Sequence, residues 1–84
     1  MRYTVVWVPS AEDDLAIIWM DATDRSAVAS AADRIDGLLR EDPHHQGGPH
    51  YGEVLTLTVS PLGIDFEVLE DDRLVKVLTV WKAR

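Results

Sequence analysis

Three histidines, His44, His45 and His50, fall in the spacing H-H-x4-H. Imidazole is a common ligand for transition metals, and near neutral pH it can act as a general base. A zinc site also needs an ordered shell that orients its ligands. These histidines lie instead in "EDPHHQGGPHYGE", where Pro43, Gly47, Gly48, Pro49 and Gly52 predict a solvated loop of about ten residues. No metal site and no cofactor are expected there. His50 is kept as a binding residue with a general base's chemistry, though nothing in the sequence pairs with it.

A second group, Glu12, Asp13 and Asp14, offers three adjacent carboxylates. They follow Ser10 at the spacing of a capping box variant, so they complement the positive end of a helix rather than hold a metal. Asp71 and Asp72 suit a hairpin turn. No phosphate-binding glycine motif and no Ser-His-Asp spacing stands out. Of the three tryptophans, Trp7 and Trp19 fit core positions, whereas Trp81 reads equally as core, as a stacking surface or as an anchor for a partner.

The elements that must position these residues follow from periodicity. "RYTVVWV" is rich in β-branched and aromatic residues, and Pro9 ends it: a strand. Leu15, Ile18, Trp19 and Ala22 recur at helical spacing. "DATDRS" ends that helix and caps a second, in which Val28, Ala31, Ala32, Ile35, Leu38 and Leu39 form an apolar face. After the glycine and proline loop come three strands: "EVLTLTV", "LGIDFEVLE" and "RLVKVLTVWK". In the second of these, Ile64, Phe66 and Val68 alternate with Gly63, Asp65 and Glu67, which predicts one buried and one open face. The last strand is apolar on both faces, as in a central or bulged strand. The expected fold is α+β in the order β-α-α-β-β-β, an antiparallel meander packed on a two-helix hairpin.

The chain has 84 residues, 46% of them hydrophobic and 27% charged, which suits one domain spanning residues 1–84. So short a chain buries a modest share of its surface, which leaves room for a homodimer or a bound protein to stabilise it. The absence of cysteine excludes disulfides and thiolate metal sites. No apolar run approaches the length of a membrane span or of a signal sequence, so a soluble cytoplasmic protein with no membrane partner is expected. The net charge of -7 repels phosphate, and direct nucleic-acid binding would need a local cationic patch.

The order of elements, the apolar positions of "AEDDLAIIW", the segment "IDGLLREDPHHQGGP" and above all "LTVSPLGIDFEVLEDDRLVKVLTVWKAR" resemble the RelE/ParE superfamily. These are the toxins of type II toxin-antitoxin and plasmid stabilisation systems. The resemblance spans nearly the whole chain and implies a cytoplasmic toxin held inactive by a cognate antitoxin. RelE-like members promote cleavage of messenger RNA on the ribosome; ParE-like members bind DNA gyrase. The first kind implies basic residues on the open face of the sheet, where this chain has Thr56, Thr58 and Gly63, with Asp65 and Glu67 nearby. Exchanging a guanidinium for a carboxylate about 5 Å from a phosphate reverses a term worth about 1 to 3 kcal/mol. What the resemblance leaves for catalysis is Lys82 and Arg84, with Arg73, Trp81 and His50 as binding residues. Three readings follow. The first is a toxin acting by protein binding, on a gyrase-like or other target, with the RNA-cleaving arginines lost and no enzyme activity. The second is a ribosome-dependent messenger RNA endonuclease, and the third a non-toxic binding module of the same fold.

Overall fold

The computed structural model describes residues 2–46 and 48–83. Strand β1 covers Thr4–Trp7, helix α1 Pro9–Asp21 and helix α2 Arg25–Glu41. Strand β2 covers Gly48–Tyr51, β3 Val54–Val59, β4 Leu62–Leu69 and β5 Leu74–Lys82. Short 3-10 turns at Pro43–His45 and Glu70–Asp72 lie between α2 and β2 and between β4 and β5. The sheet runs β1-β5-β4-β3-β2, with β1 parallel to β5 and the other pairs antiparallel. The fold is therefore α+β with the expected β-α-α-β-β-β order, extended by the short strand β2. The glycine and proline loop supplies that strand, and Pro49 is tolerated because β2 is at the sheet's edge.

Helix α1 begins at Pro9, with Val8 as its N-cap and no side-chain cap. Proline at the first helical position lacks only an N–H that would have been unpaired anyway, so Pro9 starts the helix and Ser10 does not cap it. Asp24 caps α2 by accepting a hydrogen bond from the Ala27 amide at 3.1 Å. Both helices pack on one face of the sheet. Ala11 and, less completely, Leu15 and Ile18 of α1 and Ala22 at its C-cap join Val28, Ala31, Ile35 and Leu39 of α2. They cover Leu62, Ile64 and Phe66 of β4 and Val75, Val77 and Val80 of β5. Trp19 departs from its expected core position: it is 43% exposed. The buried phase of α1 passes through Ala11, Leu15, Ile18 and Ala22, and Trp19 stands one step round the helix, where the Arg25 guanidinium lies 4.7 Å above its ring.

The register of β5 explains its two apolar faces. It is flanked by β1 and β4, so both its edges are paired. Its pairing with β4 also shifts by one residue between Asp65 and Phe66, where Thr79 and Val77 are the partners and Leu78 is the extra residue. Val75 and Val77 face the helices before this bulge, and Val80 does so after it. An irregularity of one residue exchanges the faces of everything beyond it.

Candidate functional site

The helices cover one face of the sheet, and the register assigns Thr56, Thr58, Gly63, Asp65, Glu67, Lys76, Thr79 and Trp81 to the other. Gly63 pairs with Trp81. The indole lies across the glycine so closely that a Cβ at position 63 would fall within 3.0 Å of Trp81 Cε2, Nε1 and Cζ2. The tryptophan thus occupies the space that any side chain at position 63 would fill. It remains 38% exposed, a rigid ring with its outer side toward solvent.

Next along the strands, Asp65 pairs with Thr79 on one side and Thr56 on the other. Its carboxylate is only 8% exposed and accepts a hydrogen bond from the Thr79 hydroxyl at 3.1 Å. The Thr56 hydroxyl donates to the Ile64 carbonyl at 3.1 Å. One step further, Glu67 stands opposite Lys76. Among the described residues this face therefore offers an indole, two carboxylates and a single ammonium. A face that stabilised a phosphorane would need cations converging on one point.

The bulge carries Lys82 to the helix-facing side with Val80. There it borders a cavity of about 270 Å³ with Ile18, Ala22, Asp24 and Pro61. Arg73 lies just before β5 and Lys82 is the last of that strand's nine residues, so the two are nine steps apart, roughly 30 Å at the rise of a strand. The structure therefore does not bring Lys82 and Arg73 together, and it sets Lys82 on the opposite face from Trp81. Arg84 lies outside the described residues. His50 is on β2, and its side chain also lies outside what is described.

Arg73 belongs to a second group at the far end of the sheet. It adopts a left-handed backbone, φ 48°, as the 3-10 turn Glu70–Asp72 passes into β5. Its guanidinium lies 5.5 Å from the centre of the Tyr3 ring. Tyr3 donates its hydroxyl to both oxygens of Glu70, at 3.1 and 3.0 Å. Nε2 of His44 lies 2.6 Å from Glu70 Oε2, and the His44 ring meets the Tyr3 ring edge on, 6.0 Å between centres. The hydrogen bond from His44, then that from Tyr3, holds the Glu70 carboxyl below its ordinary range. Burial, reinforced by the hydrogen bond to Glu70 and by its charge, raises the Tyr3 hydroxyl. His45 turns away toward Asp42, 2.7 Å from Nδ1.

Sequence periodicity carries no trace of this group: 67 positions separate Tyr3 from Glu70, and 26 separate His44 from it. Only Arg73 was expected to serve a site. The three acids Glu12, Asp13 and Asp14 occupy the first turns of α1, and among the described residues no cluster of His, Asp and Glu could hold a metal ion.

Comparison with solved structures finds the same fold throughout the chain. A chain of the toxin-antitoxin complex RelBE2 of Mycobacterium tuberculosis superposes with a TM-score of 0.81 and 18% identity, covering 98% of this chain and 92% of that one. A chain of the chromosomal ParDE system of Pseudomonas aeruginosa gives 0.76 and 18%, covering 99% and 98%. The isolated RelE toxin of Escherichia coli gives 0.68 and 15%, covering 98% and 85%. No protein-family model matches the sequence, and neither does any curated protein.

Proposed function

We propose, from the premise that this chain has the fold of RelE and ParE toxins, that it is the toxin-like component of a type II toxin-antitoxin system and acts by binding a protein. Its partners are a cognate antitoxin and a cytoplasmic target, gyrase-like or on the ribosome, and it serves plasmid or chromosomal stabilisation. The observation that carries the protein-binding part is the open sheet face. Trp81 is seated on Gly63 and Asp65 is buried beside it, where phosphate chemistry would require cations. An exposed aromatic ring on a rigid strand is the kind of group that anchors protein interfaces.

The endonuclease reading rests on Lys82 and Arg84, with Arg73, Trp81 and His50 binding RNA. Lys82 and Arg73 lie too far apart to meet at one phosphodiester. Expression of the chain alone in a bacterial host, and then together with the product of the neighbouring small reading frame, separates the readings. Growth arrest relieved by the second protein, with messenger RNA intact on translating ribosomes, is expected. Unimpaired growth with a stable complex would favour the non-toxic binding module. Ribosome-dependent cleavage that disappears in Lys82→Ala/Arg84→Ala would replace protein binding with the enzyme.

A further inference from the structure

The bulge in β5 takes Lys82 away from the open face and gives it another setting. The cavity of about 270 Å³ that it borders lies where the end of α1, the start of α2, the β3–β4 turn and the end of β5 meet. Its floor is apolar: Ile18, Ala22 and Pro61 are half-buried there, and Val28 is buried. The charged residues of the lining are Asp24 and Lys82, both exposed at the rim. Ser60 adds a hydroxyl between the floor and solvent.

Each of the two charges is fixed by a bond of its own segment. Asp24 Oδ1 accepts from the Ala27 amide at 3.1 Å and from the Ser26 hydroxyl at 3.0 Å. Those bonds, the amide's first, hold the carboxyl below its ordinary range, so it is ionised at neutral pH. Its Oδ2 stands outside both bonds. On the other side, the Ala83 amide donates to the Pro61 carbonyl at 2.8 Å, which ties the chain directly after Lys82 to the β3–β4 turn. Asp24 and Lys82 line one cavity, yet among the described residues neither forms an ion pair, with the other or with a third group. Opposite charges that share a cavity without meeting leave room between them for a group that carries both.

We propose that this cavity binds a free α-amino acid with an aliphatic side chain. The ligand's carboxylate meets the Lys82 ammonium, its ammonium meets the Asp24 carboxylate, and its side chain lies on Ile18, Ala22 and Val28. A ligand with a single charge satisfies one wall and faces a like charge on the other, so a plain carboxylate or a plain amine fits less well. The volume falls just under the range of about 300 to 1,000 Å³ that receives drug-sized ligands, which suits a molecule of this size. Water screens both charges at the rim, so the affinity is weak, in the millimolar range. A bound ligand bridges α2 and β5 and thereby stabilises the folded chain. The site lies on the helix-facing side, opposite Trp81, and is independent of the protein-binding reading of the open face.

The test uses the full chain, L-leucine and three truncated relatives: isocaproate, which lacks the ammonium, isoamylamine, which lacks the carboxylate, and glycine, which lacks the side chain. The amide chemical shifts of Val28 and Ala83 report the site, and thermal unfolding reports the gain in stability. Leucine should shift both amides saturably and raise the Tm, and each relative should bind roughly tenfold more weakly. Lys82→Met should weaken leucine roughly tenfold without weakening isoamylamine. Asp24→Asn keeps a side chain that caps α2, and it should weaken leucine without weakening isocaproate. Isocaproate or isoamylamine binding as tightly as leucine would overturn the proposal, because one charge would then suffice. So would leucine binding unchanged in both variants, shifts confined to residues away from the cavity, or no saturable shift up to the solubility of leucine.

Discussion

The two ends of β5 are built on different principles. At one end Trp81 covers Gly63 and Asp65 binds Thr79, so each group is held by its immediate cross-strand partner. At the other, Tyr3, His44, Glu70 and Arg73 arrive from the residue before β1, two turns and the residue before β5, and meet through charge and hydrogen bonds. The first arrangement is chiefly steric; the second is chiefly electrostatic, with His44 and Glu70 about half exposed. Loss of fit in a packed strand pair cannot be relieved by solvent, whereas a surface charge pair is screened by it. The Trp81 end should therefore respond strongly to shape and weakly to pH, and the Glu70 end the reverse.

The largest effect should come from restoring a side chain at the glycine. Gly63→Arg, which would return a cation to the open face, has to expel the indole, and overpacking of this kind costs about 1 to 3 kcal/mol. Urea unfolding would measure it. The cause is tested by Trp81→Ala in the same chain: with the ring gone, the arginine should be tolerated, giving a clear coupling energy in the double-mutant cycle. Additive costs would mean that Trp81 is not what excludes a side chain at position 63. A smaller loss, about 0.5 to 1.5 kcal/mol, is expected for Asp65→Ala, which leaves the Thr79 hydroxyl without its acceptor. Thr79→Val should recover part of that loss in the double variant if the stranded Thr79 hydroxyl is its cause.

How much of this was legible in the sequence differs between the two ends. Alternation in "LGIDFEV" gives the two faces of β4 correctly, because Ile64 and Phe66 are wholly buried and Gly63, Asp65 and Glu67 lie opposite them. It does not give the partner of Gly63. Folding the hairpin symmetrically about Asp71 and Asp72 sets Gly63 against Val80; the single extra residue at Leu78 moves the pairing to Trp81 and turns Lys82 toward the helices. The sequence shows this bulge only as a strand apolar on both sides. The glycine at the position where the resemblance implies an arginine is, in the fold, the floor beneath a tryptophan. The face of α1 was legible except at Trp19, where Arg25 from the next helix provides cover that periodicity cannot register. Nothing local encodes the His44 and Glu70 contact, which depends on two turns closing at the same end of the sheet.

That contact supplies the smallest and most selective prediction. Glu70 has an ordinary value of 4.5 and is held below it in the fold, first by His44 and then by Tyr3. A carboxyl depressed by folding contributes stability that is fully present above its unfolded value and is lost as the pH falls through its folded value. The contribution should therefore be complete above about pH 5 and fade below 4.5, and Glu70→Gln should flatten the stability curve in that acid window while leaving the plateau nearly unchanged. Tyr3 works at the other limit. Its hydroxyl is raised above 10.0, so the stability it confers is present below that value and lost as the pH rises through the folded one. Tyr3→Phe should remove this alkaline loss and also weaken the acid one, because the phenol donates to Glu70. His44→Ala should weaken the acid loss alone. Thermal unfolding followed from pH 3 to 11 distinguishes the two, and an acid limb unchanged in both Glu70→Gln and His44→Ala would mean that the contact does not couple the turn at Pro43–His45 to the hairpin.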